Sequence, residues 1–200
     1  MVFILIFSSA ASGLTISPPF LNFKGNQDFI DMSLSNNSDL DKAIYIEPEY
    51  VEGSHFYLIS SAETLVIPSR SVAKVNFKIL GDFDKKREHL MYVNIVEMVR
   101  APEENASISY LSITNKIKVI ITPSEFDNYN LSLKDGVLLN SGPKYIQLLS
   151  LVCHDNIEVK EETLIQPFSS FKIKLKDSCN PIAYKESIFG KIKTSKLVSD

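Results

Sequence analysis

The side chains best suited to chemistry in these 200 residues are two cysteines and three histidines. Cys153 and Cys179 both lie in the second half of the chain, and the histidines are His55, His89 and His154. A structural zinc site needs a tetrahedral set of such ligands at close spacing, and these five residues form no such group. His154 adjoins Cys153, but a nucleophilic cysteine needs a base and a third group to orient it, and the spacing offers neither. The chain also lacks a Gly-x-Ser-x-Gly elbow, a phosphate loop, a Gly-rich dinucleotide loop and a His-Glu-x-x-His pair. The expectation is a protein with no enzymatic activity, no cofactor and no metal.

Charge excludes further classes. The net charge is −3, and lysines and acids are interspersed along the chain, with Lys85-Lys86-Arg87 as the one basic run. Such a balance gives no footprint for nucleic acid or an anionic membrane surface. Val2 to Phe7 is apolar and is followed by the small residues Ser8-Ser9-Ala10-Ala11-Ser12-Gly13. This pattern reads as the end of a secretory signal over residues 1–13, without the positively charged start. A membrane span would need roughly 20 apolar residues, and no stretch provides them. In an exported protein the two cysteines are expected to pair, closing a loop that chain-entropy reasoning values at about 3–4 kcal/mol.

The elements that must carry any site are strands. Ile30, Met32 and Leu34 alternate with Asp31, Ser33 and Ser35, and Ala73, Val75, Phe77 and Ile79 alternate with polar residues in the same way. Met91, Val93 and Ile95 mark a third strand, and Leu111, Ile113 and Ile117 a fourth. Turn signals at Lys24-Gly25-Asn26, Asn36-Asn37-Ser38, Pro68-Ser69-Arg70 and Gly81-Asp82 separate them. No segment holds a helical period for three turns. The first strand set ends near Thr122-Pro123-Ser124, and a second begins at Leu131. Thr64-Leu65-Val66-Ile67-Pro68 also reads like Thr163-Leu164-Ile165-Gln166-Pro167, as two copies of one topology would. The chain is therefore expected to be all-β, with two sandwich domains over residues 14–122 and 123–200.

Several stretches, in order, resemble the periplasmic pilus-assembly chaperones of the PapD-like superfamily. They are Ile16-Ser17-Pro18 through Asn36, Leu65-Val66-Ile67-Pro68 through Ile79, and Arg87-Glu88-His89-Leu90 leading into Tyr92-Val93-Asn94-Ile95. Leu111 through Thr122-Pro123 is similar to the family's donor strand and domain-ending proline, and Leu138 through Tyr145 to a segment of its second domain. The opening and the Arg-Glu-His-Leu region lean toward the archaic branch. The resemblance implies two immunoglobulin-like β-sandwich domains at an angle, in a boomerang with a short linker.

The resemblance also implies a function. Such chaperones work in the periplasm, where they hold pilus subunits that lack their last strand and deliver them to an outer-membrane usher. They do so by donor-strand complementation, and a self-capping dimer stays open. The donor residues carried over are Ser109, Leu111, Ile113 and Ile117, and the lysine that anchors the subunit's terminal carboxylate is Lys118, with Lys116 as its neighbour. Three positions depart from the family. Phe20 replaces a cleft arginine, Thr122 replaces an arginine before the domain-ending proline, and Ile188 replaces an aspartate near the C-terminus. The last two leave Glu88 without its usual ionic partners. The alternative is a structural β-sandwich pilus subunit or adhesin. A pilus subunit should carry an alternating N-terminal extension and lack its own final strand, whereas the first domain here reads as complete.

Overall fold

The computed structural model describes residues 13–25, 27–50, 55–100, 110–122, 131–154, 158–173, 181–188 and 191–197, and the side chains of Val99, Arg100, Tyr110, Leu111 and Ile188 are outside that description. The described residues form sixteen strands and no helix. They divide into two compact units, one drawn from Met1–Phe83 and His89–Ile121, the other from Asp84–Glu88 and Thr122–Asp200. The short segment Asp84–Glu88 thus groups with the second unit although the chain on either side of it belongs to the first.

In the first unit the strands are β1 (Leu14–Ser17), β2 (Phe20–Lys24), β3 (Phe29–Asn36), β4 (Lys42–Pro48), β5 (Phe56–Ser60), β6 (Thr64–Ile67), β7 (Val72–Gly81), β8 (His89–Arg100) and β9 (Tyr110–Thr122). They make two sheets, β1-β3-β7-β5 and β2-β9-β8-β4-β6. The opening of the chain serves both sheets: β1 pairs with β3, and after Ser17-Pro18-Pro19 the backbone crosses so that β2 lies beside β9. The period-two pattern shows directly in burial. Met32, Leu34, Val75 and Phe77 from one sheet meet Ile44, Ile46, Met91, Val93 and Ile95 from the other in a single core, while the alternate residues face outward. Burying each such aliphatic side chain stabilises the sandwich by about 1.5–3 kcal/mol.

The second unit repeats the plan with β10 (Leu131–Lys134), β11 (Val137–Asn140), β12 (Ile146–Cys153), β13 (Glu158–Ile165), β14 (Ser169–Lys172), β15 (Pro181–Ile188) and β16 (Lys191–Lys196). Its sheets run β10-β11-β14 and β13-β12-β15-β16, around a core that includes Leu131, Leu138, Ile146, Leu148, Leu151 and Tyr184.

The sequence repeat has a physical basis at one corner of each unit. Asn36 ends β3, is 1% exposed, and places its amide nitrogen 2.8 Å from the Leu40 carbonyl and 3.0 Å from that of Ile67. Asn140 ends β11, is fully buried, and donates to the carbonyls of Lys144 at 2.8 Å and Gln166 at 2.9 Å. Ile67 and Gln166 are the residues matched by the repeat, each just before the proline. The side-chain oxygens also act alike, accepting from Ser38 N–H and Gly142 N–H, both two residues on. The carbonyls of Ser38 and Gly142 in turn accept from Arg70 and Phe168, which hold the same left-handed backbone at φ 55° and 51°. In each unit one buried amide thus ties a strand end to the proline turn across the sandwich.

Replacing Asn140 by Leu would remove a donor from the part-buried carbonyls of Lys144 and Gln166 and orphan the buried Gly142 N–H, the last alone costing about 1–3 kcal/mol. The expected outcome is a lower melting transition for the second unit with that of the first unit unmoved, read by differential scanning calorimetry. Asn36→Leu should reverse which transition moves.

Candidate functional site

Strand β9 is the longest among the described residues, and its two ends differ. It pairs antiparallel with β8 from Arg100↔Tyr110 to His89↔Ile121. Its other neighbour, β2, has only five residues against thirteen, so over more than half its length β9 has no β2 alongside. At the C-terminal end, Ile117, Val119 and Ile121 are buried in the first unit's core together with Leu21 and Phe23 of β2. Toward the N-terminal end burial falls away. On the same face Ile113 and Asn115 are only half-buried, and Ile113 is not among the residues packed on that core; Ser112, Thr114 and Lys116 on the other face are exposed.

Among the described residues, a polar pair lies at the end of the core. Glu97 of β8 lies directly opposite Ile113. It is 1% exposed and forms an ion pair with Lys42 of β4, itself 9% exposed. A buried pair of this kind adds little stability in itself, but it interrupts the apolar interior at the level of Ile113. The sequence reading missed this pair. A lysine opening β4 and a glutamate breaking the apolar alternation of β8 were its only sequence signals.

The structure places the expected donor residues unequally. Ser109 and Cys179 lie outside the described residues. Leu111 sits in β9 opposite Val99, and Ile113 opposite Glu97. Ile117, expected to flank the donated residues, requires a correction: at 7% exposure it belongs to its own unit's core, because it stands opposite Val93 where both sheets are already in contact. Any strip of β9 available to another chain ends before it.

Lys116 and Lys118 lie on the outward face of β9, opposite Asn94 and Tyr92. Lys116 is engaged within the unit. Its Nζ is 2.7 Å from Glu49 Oε1 and 4.3 Å from the centre of the Tyr92 ring. The same Glu49 oxygen accepts from Asn94 Nδ2 at 3.3 Å, and the Glu49 N–H donates to the Tyr92 carbonyl at 2.8 Å. Lys118 is half-buried, as is Phe20 at the head of β2. Glu49 follows β4 in a segment without strand periodicity, so nothing in the sequence pointed to it.

Glu88 takes neutral partners in place of the missing ions. Its Oε1 accepts from the Thr122 hydroxyl at 3.0 Å and its Oε2 from the Tyr145 N–H at 2.9 Å, while its own N–H donates to the Pro143 carbonyl at 2.8 Å. Thr122, the residue that removes the expected arginine, is thus itself a ligand of Glu88. Burial pushes the Glu88 carboxyl above its ordinary value near 4.5, against the Tyr145 N–H, the Thr122 hydroxyl and the Lys144 charge, which pull it down. Cys153 ends β12 and is 1% exposed. Among the described residues there is no free cysteine and no group of His, Cys, Asp and Glu that could hold a metal ion.

With the geometry in place, the chain can be compared with known proteins. It has the fold of the PapD-like pilus chaperones, a two-domain β-sandwich class. The periplasmic chaperone SfaE matches over 93% of this chain and 99% of its own, at 17% identity and a TM-score of 0.73. A chain of the Salmonella enterica SafA pilin–SafB chaperone complex matches over 95% and 99%, at 16% identity and 0.70. A chain of the CsuC–CsuE chaperone–tip adhesin pre-assembly complex of the archaic Csu pili of Acinetobacter baumannii matches over 92% and 97%, at 14% identity and 0.62. No protein-family model and no curated protein matches the sequence.

Glu88 yields a pH test. A carboxyl whose folded value is raised binds its proton more tightly folded than unfolded, so stability is greatest below about pH 4.5 for this group and is lost as pH rises through the folded value. Glu88→Gln keeps both contacts, its carbonyl accepting from Tyr145 and its amide donating to Thr122. The variant is expected to equal or exceed the parent in urea midpoint at pH 7 and to lose that margin near pH 4. A less stable variant at pH 7 would refute the neutral-partner account.

Proposed function

We propose that this chain is a periplasmic chaperone that holds pilus subunits by donor-strand complementation and delivers them to an outer-membrane usher. The observation that carries the reading is the divided strand β9. Its C-terminal end belongs to its own sandwich, while over Tyr110–Lys116 it is paired to β8 on one edge, extends past the end of the apolar core, and presents a half-buried Ile113 that its own core does not take up. A strand in this state can enter a foreign sheet. It offers main-chain groups on its second edge for ladder hydrogen bonds and alternate apolar side chains for a groove. A subunit lacking its last strand needs both, since an unpaired edge invites aggregation. Two neighbours in fold were crystallised with a pilin and a tip adhesin as partners, which supports the partner class proposed here.

On this reading Ser109, Leu111 and Ile113 are the donated residues, and Lys118 anchors the subunit's terminal carboxylate through a charge-assisted hydrogen bond. The small residues before Gly13 serve export to the periplasm, and Cys153 pairs with Cys179 in the second unit.

Co-expression with export-competent pilus subunits from the same organism, followed by affinity purification, tests the proposal. The wild-type chain should bring down a subunit at one-to-one stoichiometry. Ile113→Asn, which adds no charge opposite Glu97, should abolish the complex while the chain stays folded, with an unfolding free energy within about 1 kcal/mol of the parent. If Ile113→Asn unfolds the chain, the residue serves its own sandwich and the reading fails. Lys118→Ala should leave the fold intact and weaken the complex by about tenfold to a hundredfold, the worth of one charge-assisted contact. An unchanged dissociation constant would remove Lys118 from the site.

A further inference from the structure

On the inner face of the first unit's larger sheet, the strand registers place Leu65 of β6, Ile44 of β4, Glu97 of β8 and Ile113 of β9 side by side in one row. The row begins in the core and ends outside it. Ile44 is 2% exposed and Leu65 packs against the same cluster, whereas Ile113 is half-buried and is not among the residues packed there. Between the two isoleucines stands Glu97, buried and paired with Lys42. Lys42 is the neighbouring inward residue of β4, one same-face step from Ile44. The adjacent inward row, Ile46–Ile95–Asn115, also turns from apolar to polar where it reaches β9.

Stability does not account for a charged pair at this place. Desolvation offsets most of what a buried ion pair gains from attraction, and apolar residues of similar size in its stead are often neutral or stabilising. With apolar side chains at positions 97 and 42, the row would run unbroken from Leu65 to Ile113, and Ile113 would gain burial in its own sandwich. A strand whose apolar residue is taken up by its own core has less to give another sheet. Its apparent affinity for a partner falls with the fraction of molecules in which that residue is still available.

We propose that Glu97 and Lys42 are positioning residues: as a charged break between Ile44 and Ile113 they keep Ile113 out of its own core and so hold the β9 strip ready for a complementing subunit. The inference rests on the functional reading given above and deepens it, assigning the pair a part in partner binding that acts through Ile113.

The test compares two variants of the full chain, with the pilus subunit that co-purifies with the wild type as the probe. The apolar variant combines Lys42→Met with Glu97→Leu, whereas Glu97→Gln keeps the position polar but breaks the ion pair. The urea midpoint of the apolar variant should equal or exceed the parent's. That of Glu97→Gln should fall below it, because a buried lysine without its counter-charge is destabilising. Subunit affinity should run in the opposite order. It is expected to be about tenfold weaker for the apolar variant, as when about nine molecules in ten have taken Ile113 inward, and unchanged for Glu97→Gln. The Ile113 methyl group gives a direct readout in the free chain: its relaxation by a soluble gadolinium chelate should drop in the apolar variant to the level of the buried Ile95 methyl. An apolar variant that binds like the parent, leaves the Ile113 methyl accessible or fails to fold overturns the proposal and leaves the chaperone reading in place. So does a folded Glu97→Gln that binds more weakly than the parent. If the wild-type chain forms no subunit complex, the chaperone reading falls and this proposal with it.

Discussion

The pairing of β9 with β8 is the constraint on which the rest depends. Along its whole length β9 is held on one edge by a continuous antiparallel ladder, so it remains an ordered strand even where it has left the core. Without β8, a segment whose inward face is only half-buried at Ile113 and Asn115 would lose the ordering that its partial burial does not provide, at a backbone cost of about 1–2 kcal/mol per residue. The ladder thus separates two properties that usually go together, being structured and being packed. The buried Glu97–Lys42 pair sharpens the separation by giving the core a polar boundary at the level of Ile113.

Much of the fold was legible because the hydrophobic period is two and strands follow it. Ile30, Met32 and Leu34 form the inward face of β3, and Val75 and Phe77 that of β7, as the alternation requires. The proline-turn repeat was also legible, since it reflects one corner built twice. The site was legible only in part. Alternation assigns Ile113 and Ile117 to one face but cannot say that the core ends between them; that depends on which partner strands stop short, β2 above all. Glu49 was invisible for a related reason. It pairs with Lys116, far along the chain, and neither its neighbours nor its spacing carry a pattern.

The contacts around Glu88 show how a buried carboxylate can be satisfied without an ion pair. A carboxylate buried with no partner carries a costly unpaired charge. Here the Thr122 hydroxyl has the right reach, and the Tyr145 N–H supplies the second contact. Hydrogen bonds from neutral donors are less sensitive to salt than ion pairs between exposed groups, so these contacts keep their hold across ionic strengths.

The corners built on Asn36 and Asn140 address main-chain carbonyls and N–H groups, with the Ser38 hydroxyl on Asn36 as a side-chain addition. Main-chain groups are present whatever residue occupies a position, so the turn around each corner can change identity freely provided the backbone angle is tolerated; an arginine and a phenylalanine already fill the two equivalent left-handed places. Architecture anchored in this manner tolerates extensive drift. A sandwich of this kind can keep its shape while its sequence moves far from that of its structural counterparts, and structures sharing about one residue in six with it still superimpose over nearly its full length.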